Sequence, residues 1–263
     1  MSHDPIHISE AELSAMTADL DEMHRASLPD LADAVAATQD QHRRGAVTSR
    51  RGFLAGTGLV AGGLVLAACG SSKSSTATGS TSAAGGTTAT TTGGGVATDL
   101  EVAALATGLE NLAVAVYQAG IDAATAGKLG TVPPAVVTFA QTAQKQHKDH
   151  AGAWNAILSS AGKPTVSGVD LTVKQAVTDP ALAKVTDVAS LAKLALELEE
   201  VAAATYLSAI GVLSSTGGIQ TTASIQPVEM QHAAILNFVL GQYPVPNSFA
   251  QTAGARTPSD KVG

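Results

Sequence analysis

Glu229-Met230-Gln231-His232 sets a carboxylate and an imidazole three residues apart inside an apolar run. On a helix such residues project from one face, so both can reach a common point. These are donor types that hold transition metals. The surroundings of the pair recur earlier in the chain. His147-Lys148-Asp149-His150 and the eight residues after it align with Glu229-Met230-Gln231-His232 and its following eight. The second His, the Ala after it, the Asn and the final Leu coincide. A second match accompanies the first. Leu109-Glu110 precedes Tyr117, and Leu198-Glu199 precedes Tyr206, with seven residues from Glu to Tyr in both cases. The domain therefore reads as two copies of a helix pair.

The elements that must carry these residues lie between 99 and 243. A first helix is expected from Asp99, a good N-cap residue, to about residue 126. Its stripe of Ala103, Ala106, Glu110, Ala113 and Tyr117 turns Glu110 inward. A second helix is expected from Pro133-Pro134 to residue 161, ending at Gly162 and Pro164. Its stripe runs Val136, Ala140, Ala143, His147, His150, Trp154, Ile157, so both histidines face the core. Gln144-x-x-His147 offers a competing register, but the repeat sets His150 opposite His232. Residues 163–187 form a long connection. A third helix is expected over about 187–214, with Glu199 inward and Lys193, Glu197 and Glu200 on a solvated stripe. The fourth is expected over about 224–240, with Ile225, Glu229, His232, Leu236 and Val239 in line. Pro227 leaves open a later start, which would put Glu229 in the first turn, answering the helix dipole.

This pattern resembles the ferritin-like superfamily. There, one Glu from each of two helices and a Glu-x-x-His from each of the other two enclose two metal ions. The chain looks closest to bacterial exported ferritin-like domain proteins, and the resemblance spans roughly residues 99–243. It implies an all-α, four-helix ferritin-like bundle with a long connection between helices 2 and 3. It also implies a metal site of Glu110, His147, His150, Glu199, Glu229 and His232, with Tyr117 and Tyr206 as donors just outside it. His147 stands where the family has Glu, which removes a negative charge and a bridging carboxylate. The expected cofactor is iron, or manganese or zinc, as one or two ions.

The chain before the bundle reads as an address. Residues 1–48 form a leader, partly helical or disordered. In it, Ser9-x-x-Glu12 is a capping box, and Leu13, Met16, Leu20 and Met23 recur at helical spacing. A second short helix is expected after Pro29. Residues 49–69 carry Arg50-Arg51-Gly52-Phe53-Leu54, an apolar run, and Leu66-Ala67-Ala68-Cys69. These parts make a secretory signal, too short for a comfortable membrane span. Arg50 and Arg51 resemble a twin-arginine translocation signal, and Leu-Ala-Ala-Cys resembles a lipoprotein box. The resemblance implies use of the twin-arginine export machinery, cleavage before Cys69, and lipidation of its thiol. The mature chain would sit on the outer face of the cell membrane, anchored by acyl chains. Residues 70–98, almost all Ser, Thr, Gly and Ala, read as a flexible spacer. Residues 244–263 read as a loose tail.

Bulk composition narrows the remaining choices. Aromatic residues are 3% of a chain that is 45% hydrophobic, which favours packed Ala-rich helices over sheet. With a net charge of −7, no basic surface for nucleic acid is expected. The single cysteine excludes an internal disulfide. A reading from another class stays open at this point: a metal-free envelope lipoprotein with a structural or partner-binding role. No substrate pocket can be read, so the sequence assigns no enzymatic activity.

Overall fold

A computed structural model describes residues 8–55 and 92–260. Its main elements are α1 (Glu10–Ala55), α2 (Thr92–Thr125), α3 (Pro134–Ser160), α6 (Val188–Ile210) and α7 (Thr216–Val239). Between α3 and α6 lie the short α4 (Leu171–Val173), a π turn (Lys174–Thr178) and α5 (Asp179–Leu182). Among the described residues there is no strand. α2 pairs with α3 and α6 with α7; the two hairpins join through α2 beside α6 and α3 beside α7. This is a ferritin-like four-helix bundle, with the long connection where the repeat requires it. Residues Thr98–Thr125 are long and apolar enough to cross a membrane by length and composition. In the structure most of that stretch is buried in the bundle.

Local chemistry sets the helix ends. Pro134 opens α3 in the first turn, where its missing N–H is no loss. Gly162, at φ 67°, closes it. Gly162 N donates to Ser159 O at 3.0 Å and Lys163 N to Leu158 O at 2.9 Å, a glycine-dependent stop. Asp187 and Ser190 form a reciprocal capping box at the start of α6.

Three boundaries differ from those the sequence predicts. Asp99 does not cap α2, which already begins at Thr92, within the stretch read as spacer. Its buried carboxylate instead accepts from Ser214 N and Ser215 N, each at 2.8 Å. It thereby holds the turn between α6 and α7. α6 stops at Ile210, and Gly217-Gly218 open α7 rather than end α6. Ser215 caps α7 by accepting from Gly218 N at 3.0 Å. The helix then runs through Pro227. The missing proline N–H leaves the Ala223 carbonyl without its helical donor, a cost on the order of 3 kcal/mol. Glu229 consequently lies well inside α7, far from the N-terminal dipole.

The largest departure concerns the leader. It is one helix, uninterrupted at residue 29, and it packs across α3 and α7. The capping box forms, with Glu12 N donating to Ser9 Oγ at 3.2 Å. The buried line is Leu13, Thr17, Leu20, His24, Leu31 and Val35. Met23, expected in the stripe, is 49% exposed. Backbones meet where α1 crosses the start of α7. A Cβ on Gly217 would fall within 2.5 Å of Thr38 N, and closer still to Ala34 O and Thr38 Oγ1. Glycine is required there for space. On the opposite side the 163–187 connection covers α2 and α6. Val173 packs with Leu112, Val116 and Leu194, and Asp170 N donates to Gly108 O at 2.8 Å. The tail is tied as well, through Arg256 N donating to Thr205 Oγ1 at 2.8 Å. Arg50 and Arg51 fall within the span of α1, while Cys69 lies outside the described residues.

Removing the Asp99 carboxylate strips two amides of their acceptor. Asp99→Ala is expected to lower stability by about 2 kcal/mol, read as a lower urea midpoint with an unchanged slope.

Candidate metal centre

The bundle brings all six residues singled out in the sequence to one place. Glu110 comes from α2, His147 and His150 from α3, Glu199 from α6, and Glu229 and His232 from α7. None is more than 2% exposed. Buried charge is tolerated only when paired, and every group here has a partner of opposite sign. His147 Nδ1 lies 2.7 Å from Glu110 Oε2, and its Nε2 lies 3.2 Å from Glu199 Oε1. One imidazole thus spans the two inward carboxylates of the paired helices. His232 Nδ1 lies 3.2 Å from Glu199 Oε2, and His150 Nδ1 lies 3.0 Å from Glu229 Oε1.

The tyrosines cross over. Tyr117, on the helix of Glu110, donates to Glu199 Oε1 at 2.5 Å. Tyr206, on the helix of Glu199, donates to Glu110 Oε1 and accepts from Trp154 Nε1 at 3.1 Å. Each Leu-Glu…Tyr copy therefore supplies its carboxylate to one half of the centre and its phenol to the other.

Two sets of four residues each place ligand atoms within 4.8 Å of one another. One is Glu110, His147, His150 and Glu229; the other is His147, Glu199, Glu229 and His232. His147 and Glu229 belong to both, and the approximate two-fold of the repeat exchanges the rest. Glu229 is the telling member. Both its oxygens are buried and make no hydrogen bond, and neither does His150 Nδ1. The 3.0 Å approach of His150 to Glu229 is a charge contact without hydrogen-bond alignment. Unbonded buried carboxylate oxygens are rare. Those of Glu229 point into a cluster of nitrogen and oxygen donors, so the residues present fit a transition metal.

Gln144 does not compete with His150. It donates to Val114 O at 3.2 Å and Gln118 Oε1 at 2.9 Å, away from the centre. Two residues escaped the sequence reading. Gln146 Oε1 accepts from His232 Nε2 at 2.7 Å, which leaves His232 Nδ1 facing the centre. Second partners of this kind fix a ligand's orientation. His24 of α1 packs its ring against His150, with centroids 5.4 Å apart. The three- and four-residue spacing from Leu13 through Thr17 and Leu20 to His24 was the available signal. A narrow cavity between α2 and α6, roofed by Val173, reaches Glu110 and His147.

A family model described as a ferritin-like domain matches residues 98–242, more than half of the chain. The chain belongs to the ferritin-like domain family. No curated protein and no solved structure matches it. The ferritin-like domain accordingly coincides with α2 to α7 and leaves α1 outside the match.

Mutual pairing sets the protonation of this ferritin-like centre. Burial works against charging His150, but the Glu110 charge and the contacts to Glu110 and Glu229 outweigh it and raise His150 to about 9. His147 rises well above its ordinary value: burial opposes this, and Glu199 and Glu229 overcome it. His232 rises as well, again against burial and through Glu199. Burial would raise Glu110, yet the His150 charge and the His147 bond bring it down to about 2. Glu199 falls well below the usual carboxylate range, against burial, through His147 and His232. Tyr117 and Tyr206 are pushed up by burial and by their carboxylates, so both remain donors.

These shifts make the stability of the metal-free chain depend on pH at both ends. The raised histidines stabilise the fold fully below the ordinary imidazole value of 6.5, and this is lost as pH climbs through about 9. The lowered glutamates stabilise it fully above 4.5, and this is lost as pH falls through about 2. Metal-free chain is therefore expected to melt highest between those ordinary values, 4.5 and 6.5, in thermal scans run across the whole range.

Proposed function

We propose that this chain is a membrane-tethered, extracytoplasmic ferritin-like protein that binds iron or another transition metal inside its bundle. The buried His and Glu groups are compatible with a metal, and the unbonded oxygens of Glu229 carry the reading. A purely structural hydrogen-bond network would have given those oxygens donors. Glu110 and His150 would serve one ion, and Glu199 and His232 a second, with His147 and Glu229 within reach of both. A bound iron or manganese ion would supply one-electron chemistry toward oxygen or peroxide; zinc would supply none.

The residues of the chain have separate tasks. His147 holds Glu110 and Glu199 at a fixed separation. Gln146 directs His232 Nδ1 inward. Tyr117 and Tyr206 keep one lone pair of each inward carboxylate engaged, which limits how it can turn. Because the histidines are held protonated, occupation by a metal must release protons, and affinity must rise with pH. Tethering rests on the twin arginines and on Leu-Ala-Ala-Cys in the sequence. A signal peptidase cut before Cys69 and acylation of its thiol would leave the bundle attached to the outer face of the membrane.

Elemental analysis of the full chain, purified without chelator or after anaerobic Fe(II) or Mn(II) addition, should find one to about two equivalents. Less than about a tenth of an equivalent under both conditions would sink the metal reading. Glu229→Ala combined with His232→Ala should abolish binding while helical content persists. For the tether, Cys69→Ala should move the exported chain from the membrane fraction to the soluble one. Arg50→Lys with Arg51→Lys should hold it in the cytoplasm. A chain that remains membrane-bound after Cys69→Ala would overturn the lipid anchor.

A further inference from the structure

α1 touches the centre at His150 and reaches His232 through one intervening side chain, in both cases from outside the four-helix bundle. His24 is 2% exposed and packs against His150. Its Nε2 lies 3.2 Å from Asp149 Oδ2, and its Nδ1 makes no hydrogen bond. One turn earlier, Leu20 O accepts from Gln146 Nε2 at 3.5 Å. The other end of that amide holds His232 Nε2 at 2.7 Å. α1 therefore bears on His150 directly and on His232 through a single side chain.

We infer that α1 is a lid on the His/Glu centre, closing its α3–α7 side, with His24 and the Leu20 carbonyl as positioning elements for His150 and His232. Three independent features support a built closure. Leu13 and Leu20 bury in one apolar cluster of the bundle and Leu31 and Val35 in a second, and burial of this kind holds a helix in place. The backbone of α1 presses on α7 at Gly217, where the nearest atoms to an added Cβ all belong to α1. Polar contacts register the helix along its length, through His24 with Asp149 and Gln39 Nε2 donating to Ala156 O at 3.4 Å.

The position of α1 in the chain gives the lid a lifetime. This part rests on the export reading above. Hydrolysis of the bond between Ala68 and Cys69, consuming one water, places α1 on the leaving fragment. The centre is then closed in the precursor, once the bundle has folded, and opened on its α3–α7 side by maturation.

The test uses the uncut full chain, stripped of metal and held at about pH 9 so that neutral imidazole is available to react, and follows carbethoxylation of His150 and His232 by diethylpyrocarbonate with peptide mass spectrometry. Two variants displace the lid from different sides. Gly217→Val adds bulk on α7 whose Cβ would first meet α1, and Leu20→Glu puts a charge on the buried line of α1. In both, His150 and His232 should react at least about tenfold faster than in the wild type. His24→Ala should speed His150 and leave His232 unchanged. Equal rates in wild type and both lid variants would overturn the inference. If the variants lose their helical signal, hydrogen exchange of the wild type decides. Amides of residues 13–38 protected as well as those of α3 support the lid, and free exchange overturns it. None of these readouts uses a metal, so a chain that binds none sinks the proposed function separately. A membrane-bound mature chain that still carries residues 10–40 would overturn the precursor-only lifetime.

Discussion

Three carboxylates and three imidazoles are buried together inside the bundle, and the desolvation of those groups governs the rest of the molecule. An unpaired charge at such a site would cost several kcal/mol. The centre avoids that by strict alternation of acid and base. His147 reaches both Glu110 and Glu199, His232 reaches Glu199, and His150 stands against Glu229 and Glu110. The alternation needs all four helices at a fixed rotation about their axes. A turn of one helix by a residue would separate several pairs at once. Small residues on the same faces, such as Ala103, Ala106 and Ala143, let the helices come close enough for those contacts. Where the resembled family places a second shared carboxylate, this chain has His147. Raised above its ordinary value, that imidazole supplies positive charge between two acids and can hold the bundle closed without a metal.

The centre was legible because the chain states it twice. Glu110 with Tyr117 and Glu199 with Tyr206 fix each other's inward direction, as do His150 and His232 at the ends of aligned segments. The long apolar stripes of α2, α3 and α6 carried the fold for the same reason. What could not be read is what depends on contacts between distant segments. Asp99 looks like a helix cap and serves instead as the acceptor for a turn more than a hundred residues later. Gly217-Gly218 look like a stop, because glycine usually ends helices. Here they begin one, since Ser215 caps it and Gly217 must admit another backbone. Pro227 suggests a late helix start, and tertiary packing carries α7 through it. Gln146 sits beside the inward histidine and gives no periodic signal of its own.

In sequence α1 reads as a leader, because a charged and apolar segment resembling an export signal follows it. Its helical spacing, read through Leu13, Met16, Leu20 and Met23, points one residue away from the buried His24. The structure gives the bundle two covers on opposite faces. The 163–187 connection covers α2 and α6, and α1 covers α3 and α7. The first is covalently built into the domain at both ends. The second belongs to a part of the chain that precedes the family match altogether.

That placement has a kinetic consequence. His24 and Asp149 are 125 residues apart in sequence, and the glycine that admits Thr38 lies further along still, at the start of α7. α1 is made first, but the surface it needs does not exist until α3 and α7 have paired. Contacts of such long range form late. Until then its apolar line stays uncovered, beside the twin arginines. A docked α1 is in effect a receipt that both hairpins have been completed.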